Sequence, residues 1–204
     1  MDPELSSAIP DFENPYDLFD AWFKDAADCP DIKDVTAMTL ATVDAEGQPW
    51  TRIVLLKDLT EKGFSFFTNL ASIKGEQLAD SNKVSLNFYW PALDRQIRIM
   101  GTTTPTSTEE SDTYFAKRPR ESQLGAWASM QSAELDARST MIDRMEAVTK
   151  KYGGQDVPRP DFWGGYIVAP TIIEFWLSRP HRLHDRTMYT RAADGSWTKK
   201  GLYP

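Results

Sequence analysis

The sequence predicts a mainly β protein with flanking helices (α+β), built on an antiparallel barrel. Three observations carry that expectation. Strand-like runs follow one another as hairpins rather than as alternating β-α units. Turn residues separate these runs at close spacing, as in antiparallel barrels. Aromatic residues are abundant, with seven tryptophans and ten phenylalanines in 204 residues, which suits a sheet-rich core or an aromatic-lined site. A chain of this length fits one domain with a sizeable core.

Residues 1–13 read as a flexible tail and 14–204 as a single domain. The run NPYDLFDAWFKDAADC (14–29) predicts a helix: Asn14 can cap it, Pro15 suits its first turn, and Leu18, Phe19, Trp22 and Phe23 form one apolar face. TAMTLATVD (36–44) and PWTRIVLLK (49–57) flank AEGQ, where Gly47 can take left-handed geometry, which is a hairpin signal. FSFFT (64–68), KVSLNFYW (83–90) and RQIRIMGTT (95–103) read as strands, with SIKGEQLAD (72–80) a short helix between the first two. Ser107 and Glu110 stand at capping-box spacing and open a helix that Pro119 closes. The run 132–154 predicts the longest helix, with Leu135, Met141, Ile142, Met145, Val148 and Tyr152 at helical spacing. Ser132 is its simplest N-cap and Gly153 its stop. After the linker QDVPRPDF, strands return at GGYIVAP (164–170), TIIEFWLS (171–178), HRLHDRTMYTR (181–191) and SWTKKGLY (196–203).

With 23 basic against 30 acidic residues the formal charge is −7, which argues against general nucleic-acid binding because that needs a basic surface. Any cationic cluster is therefore local. A single cysteine, Cys29, excludes an internal disulfide framework and reads as a small half-buried apolar residue. The acidic start MDPELSSAIPDFENP has no apolar stretch and does not read as a secretory signal, and no apolar run is long enough to span a bilayer. A cytoplasmic protein is expected. Neither G-x-G-x-x-G nor G-x-x-x-x-G-K-[ST] occurs, so a bound phosphate must be held by side-chain cations.

HRLHDR (181–186) holds both histidines of the chain. Read as a strand, His181, Leu183 and Asp185 face one way and Arg182, His184 and Arg186 the other. The histidines then cannot share a metal, and no metal site is expected. The Arg182–His184–Arg186 stripe suits a phosphate or another anion, and a solvated strand face paired with acids accounts for it equally on this run alone. TRIVLLK (51–57) brackets an apolar run with Arg52 and Lys57 on opposite parity. They are either contacts to different ligand ends or charges snorkelling at strand ends. In YFAKRPRESQLGAW (114–127), Tyr114 and Arg118 share a helical face. Arg118, Arg120 and Ser122 cluster at the helix end, where they suit a phosphate or answer the helix dipole. Ser72 and Lys74 open the short helix, an anion-friendly place. Gln96 and Gln131 are weaker candidates, and Trp176 reads most simply as core.

Together the segments TRIVLLK, FFTNLASIKG, DRQIRIMG, YFAKRPRESQLGAWASMQS, FWGGYIV, IEFWLSRPHRLHDR and the final LYP resemble, in order and spacing, the pyridoxine (pyridoxamine) 5′-phosphate oxidases. The resemblance runs from roughly residue 30 to the end. It implies an FMN-binding split β-barrel of antiparallel Greek-key type, assembled as a homodimer with the flavin at the subunit interface. It implies Arg52 and Lys74 as ligands of the FMN phosphate. Ile53, Val54, Leu55, Lys57, Phe67, Thr68, Gln96, Gln131, Ser132, Trp176 and Arg186 are implied as further FMN contacts. Lys57, Tyr114, Arg118 and Ser122 are implied as the substrate phosphate grip, and Arg182 and His184 as the catalytic pair over the pyridine ring.

The implied reaction converts pyridoxine or pyridoxamine 5′-phosphate to pyridoxal 5′-phosphate. Hydride passes from substrate C4′ to flavin N5, and O2 is the final acceptor, giving hydrogen peroxide. Two departures stand out. Ile73 occupies a place where many members carry arginine, which implies weaker FMN binding. The chain ends Gly201-Leu202-Tyr203-Pro204 where many end Arg-Leu-x-Pro, a gap that Lys199 or Lys200 could fill. The competing expectations are a phenazine-type split-barrel flavin oxidase and a non-catalytic protein that binds FMN or pyridoxal phosphate.

Overall fold

A computed structural model describes residues 9–204. Helix α1 (Pro15–Ala27) forms where the sequence places it, with the Asn14 side chain accepting a hydrogen bond from the Tyr16 N–H and Pro15 in the first turn. Its apolar face enters the main core: Phe19 meets Phe64 and Phe88 edge-on at 5.0 and 5.3 Å, and Trp22 meets Phe175 at 5.3 Å. Strands β1 (Ala37–Val43) and β2 (Pro49–Leu55) pair along their full length. Gly47, at φ +84°, makes their turn in the left-handed region that glycine adopts without strain.

The remaining elements are β3 (Asp58–Thr60), β4 (Gly63–Asn69), α2 (Ile73–Asp80), β5 (Lys83–Trp90), β6 (Arg95–Pro105), α3 (Thr108–Ala116), α4 (Arg120–Ala128), α5 (Arg138–Lys151), β7 (Trp163–Leu177), β8 (Asp185–Arg191) and β9 (Trp197–Gly201). The sheet runs β2-β1-β5-β6-β7-β4-β3, with β8 and then β9 added beside β7. Every pairing is antiparallel. The neighbours β1–β5 and β4–β7 are not consecutive in the chain, which is the Greek-key feature of the expected barrel. β2 and β3 end this order yet are joined by a two-residue link, and the Lys57 N–H donates to the Ser65 carbonyl at 2.9 Å, so the sheet curls back on itself. β7 pairs with β4 through its first half and with β8 through its second, so the barrel is split there.

The two strands expected over 164–178 are therefore one, carried past Pro170 by a register shift on β6 at Met100/Gly101. β3 and α4 were not legible in the sequence. Pro119 does close the preceding helix, which opens with the expected Ser107–Glu110 capping box, but α4 restarts directly after it. The longest helix is shorter than expected. It begins at Arg138, because Ser132 lies at φ +74° in a turn and caps nothing. It ends at Lys151 with Tyr152 as its C-cap, and Gly154 rather than Gly153 takes left-handed geometry. Leu135 precedes this helix and is exposed, as is Ile142; Met145 and Val148 pack on a second core cluster with Phe115, Leu124, Tyr152, Val157 and Trp163.

Of the expected tail, residues 1–8 lie outside the described residues. Within 9–13, Ile9 is buried, Tyr189 Oη donates to the Phe12 carbonyl at 2.7 Å, and Lys199 bridges Asp11 and Glu13 at 2.6 Å each. Among the described residues, no helix is long and apolar enough to cross a membrane and no cluster could hold a metal ion.

Candidate functional site

A cleft of about 650 Å³ opens between the ends of β2 and β4, the α3–α4 turn and the loop after α4. Its lining includes Lys57, Lys74, Lys117 and Arg118, and neither an aspartate nor a glutamate. In a chain of net charge −7, four cations with no facing carboxylate define a local anion site. All four residues expected in the substrate phosphate grip line it: Lys57, Tyr114, Arg118 and Ser122. So do Ile53, Val54, Leu55, Phe67, Thr68, Lys74 and Gln131 from the expected cofactor set.

At one end, α3 stops at Ala116 and Pro119 turns the chain into α4, which brings Arg118 and Ser122 to the same wall. The Arg118 guanidinium lies over the Trp163 ring at 4.7 Å and the Phe115 ring at 5.4 Å. One of its terminal nitrogens, Nη1, is buried without a hydrogen-bond partner. Burial pushes this guanidinium below its ordinary pKa and pushes the Tyr114 phenol up. An unpaired buried cation is costly until an anion meets it. Phe67, Tyr114 and Trp163 form a wall of near-parallel rings, with Phe67 and Tyr114 at 4.1 Å and 8°. Gly165 faces Phe67 across β4 and β7, where a Cβ would sit 2.7 Å from the ring. Glycine at this position lets the ring lie flat.

At the other end, Ser72 caps α2 and its hydroxyl accepts from the Gly75 N–H at 3.4 Å. Lys74 is 9% exposed and donates to Ser72 Oγ and Gln131 Oε1, each at 3.1 Å. Thr68 Oγ1 reaches the same Gln131 oxygen at 3.4 Å. Burial, and then the nearby Arg52, hold the Lys74 ammonium below its ordinary pKa. Arg52 stands behind this end, hydrogen-bonded to Thr42 Oγ1 and, at 3.1 Å, to Gln77 Oε1. Two cations held only by neutral oxygens fit the phosphate of the FMN that the resemblance implies. Ile73, 39% exposed, faces a neighbouring cavity of about 550 Å³ with Ser132, Trp127 and Phe162.

The rest of the expected set lies elsewhere on the chain. Gln96, Trp176 and Arg186 stand opposite one another across β6, β7 and β8, and so share one face of the sheet. Gln96 Nε2 donates to Asn87 Oδ1 at 2.6 Å. Arg186 donates to Glu174 Oε1 at 2.9 Å and to the Tyr203 carbonyl at 2.8 Å. Glu174, 2% exposed, also accepts from Arg98. Burial alone would raise its pKa, but the hydrogen bonds from Arg186 and Arg98 outweigh it and hold the carboxyl below its usual range.

Several expectations need correction here. Trp176 is not core: it is half-buried and its ring lies 4.5 Å from that of His184. HRLHDR is not a strand before Asp185, because Pro180 opens a tight turn in which His181 (φ 60°) and Arg182 (φ 62°) are left-handed. Strict strand alternation therefore does not extend from Arg182 to Arg186. Two such non-glycine residues cost about 1–2 kcal/mol each, strain of the kind found at functional sites. His184 Nδ1 accepts from the Arg179 N–H at 3.1 Å, while Arg182 is exposed. Lys57 lies past the end of β2, so strand parity with Arg52 does not apply. Arg120 leaves the cleft to bind the carbonyls of Tyr152 and Gln155 at 2.7 and 2.8 Å, the end of α5. Lys199 is engaged by Asp11 and Glu13.

Sequence reasoning missed Lys117 and Trp163 in the lining, and Thr42 and Gln77 behind it. Lys117 had a visible signal, its place beside Arg118 in AKRPR. The others depend on long-range packing, as Gln77 and Thr42 are 35 residues apart and bond directly.

Comparison with known proteins agrees with this arrangement. Residues 26–152 match the profile described as pyridoxamine 5′-phosphate oxidase, and residues 163–204 match the pyridoxine 5′-phosphate oxidase C-terminal dimerisation region. A pyridoxine/pyridoxamine 5′-phosphate oxidase of Paraburkholderia phymatum is 50% identical, covering 94% of this chain and 89% of the relative. One from Burkholderia cenocepacia is 51% identical, covering 98% and 92%. Among solved structures, PhzG from Burkholderia lata, in complex with tetrahydrophenazine-1-carboxylic acid, superposes with TM-score 0.88 at 28% identity, covering 100% of this chain and 98% of that one. A pyridoxamine 5′-phosphate oxidase-related, FMN-binding protein from Nostoc punctiforme superposes with TM-score 0.76 at 15% identity, covering 94% and 98%, a likeness of fold. The chain belongs to the pyridoxamine 5′-phosphate oxidase family.

Proposed function

We propose that this chain is an FMN-dependent oxidase that converts pyridoxine 5′-phosphate and pyridoxamine 5′-phosphate to pyridoxal 5′-phosphate, working as a homodimer in the synthesis or salvage of that coenzyme. The observation that carries the reading is the cleft itself: cations at both ends, no carboxylate in its lining, and a buried Arg118 nitrogen lacking a partner. The names of its half-identical relatives support the same substrate class.

In this reading Lys74, with Arg52 behind it, holds the phosphate of FMN. Lys57, Arg118, Ser122 and Tyr114 hold the phosphate of the substrate. The ring wall of Phe67, Tyr114 and Trp163 backs the Arg118 guanidinium and fixes its direction. When bound, the flavin would supply the hydride acceptor and the route for electrons to O2, with hydrogen peroxide as the by-product. Gln96, Trp176, Arg182, His184 and Arg186 lie outside the cleft of their own chain, on or near the segment matched as a dimerisation region. A second copy would bring them to it, and Arg182 and His184 would then orient the substrate ring. Two oriented donors suffice, since no side chain needs to act as a nucleophile.

The likeness to PhzG at TM-score 0.88 favours a second reading, a phenazine-type oxidase acting on a larger aromatic acid. Charge separates the two, because such an acid has no phosphate for Lys57, Arg118 and Ser122 to grip. The test is steady-state oxidation by the FMN-loaded protein, followed by peroxide release and pyridoxal phosphate absorbance. Turnover of the phosphorylated vitamers, with little for unphosphorylated pyridoxine, is expected. Turnover of tetrahydrophenazine-1-carboxylic acid alone would favour the second reading.

A further inference from the structure

The cleft shares Lys57, Phe67, Tyr114 and Lys117 with an outer cavity of about 870 Å³. The two compartments differ in charge. The inner cleft has no carboxylate in its lining, whereas the outer cavity is lined by Asp58, Glu61, Glu109 and Glu110. Of its three lysines, Lys62 is paired with Glu110 at 3.6 Å, and Lys57 and Lys117 stand at the junction. A phosphate monoester entering this way crosses an acid-lined space before it reaches Arg118.

Lys117 is placed to counter that repulsion. It caps the end of α3, where its N–H donates to the Tyr114 carbonyl at 3.2 Å, so its backbone is fixed at the junction. Its side chain is exposed and makes no ion pair among the described residues. It precedes Arg118, whose Nη1 is the unpartnered one. We propose that Lys117 is a further substrate-recognition residue, which draws the phosphate end of the substrate through the outer cavity and passes it to Arg118 and Lys57. The proposal rests on the phosphorylated-substrate reading above. An exposed cation acts over roughly a Debye length, about 8–10 Å at ordinary ionic strength. It therefore speeds capture more than it changes the chemical step.

The experiment compares the FMN-loaded full chain with Lys117→Ala, Lys117→Glu and Lys117→Arg. Two readouts are used: KM and kcat for pyridoxine 5′-phosphate at low and high salt, and the dissociation constant of pyridoxal 5′-phosphate read from absorbance. For Lys117→Ala, kcat/KM at low salt falls about three- to tenfold, mostly through KM, and the gap closes at high salt. Lys117→Glu falls further and Lys117→Arg restores capture. Affinity for pyridoxal phosphate falls in the same order. Unchanged KM and unchanged salt dependence in Lys117→Ala, with wild type active, would overturn the role of Lys117 alone. Wild type without turnover, but with pyridoxal phosphate binding that Lys117→Ala weakens, would sink the oxidase reading and keep this one. Neither turnover nor binding in wild type would sink both.

Discussion

Two clusters of cations in this acidic chain have opposite fates. Across β6, β7 and β8, Arg98 and Arg186 converge on the carboxylate of Glu174, which is 2% exposed. In the cleft, Lys57, Lys74, Lys117 and Arg118 converge on no carboxylate. In the first cluster the buried carboxylate offsets one of the two charges and ties the three strands together. The second leaves its charge for an incoming anion. Where 30 acids outnumber 23 bases, a cation becomes a binding group by the absence of its natural partner. That contrast identifies the site more sharply than the number of arginines and lysines does.

Removing the central carboxylate should have the largest effect. Glu174→Gln is expected to destabilise the fold by about 2–4 kcal/mol, near the lower range for breaking a buried pair, because the Arg98 side chain is 44% exposed. Denaturant unfolding measures it, and wild-type stability would mean that the triad is not structural. Arg118→Met should do the reverse. It keeps or raises the stability of the ligand-free protein, yet weakens phosphate binding by about 1.5–3 kcal/mol, roughly tenfold to a hundredfold. Equal stability losses in the two variants would erase the distinction between the clusters.

The two regions should also carry opposite pH signatures. Glu174 titrates below its usual range in the folded state. Its contribution to stability is therefore present above the unfolded carboxyl value near 4.5 and is lost as pH falls through the lowered one. Lys74 is depressed below 10.5 by burial and Arg52. An anion binds its charged form, so FMN affinity should fall as pH rises through that lowered value. Flavin titrations across the alkaline range test this; flat affinity would remove Lys74 from the phosphate site. The smallest effect is expected of Ile73→Arg, which should tighten FMN by about two- to fivefold, as a half-exposed ion pair does. FMN bound no more tightly by that variant would show that position 73 does not face the phosphate.

Much of the fold was legible because period and turn chemistry act locally. Asn14–Pro15, the Gly47 hairpin and the Ser107–Glu110 box each specify their element within a few residues. The errors arose where local signals were ambiguous. Pro170 suggested a strand break that a shift at Gly101 absorbs, and Ser132 offered a cap to a helix that starts six residues later. HRLHDR read as a strand because nothing in its composition announces two consecutive left-handed residues. The inner cleft was legible as residue types, since Lys57, Arg118 and Ser122 each suggested an anion. That they share one carboxylate-free lining is a long-range fact, set by the pairing of β4 with β7 and by the turn at Pro119.

The most direct test of the anion-cleft account is the visible spectrum of the FMN-reconstituted protein, before and after anaerobic addition of pyridoxine 5′-phosphate. The account predicts that the flavin band bleaches and that its colour returns when air is admitted. A flavin that binds and stays yellow with this substrate would contradict it.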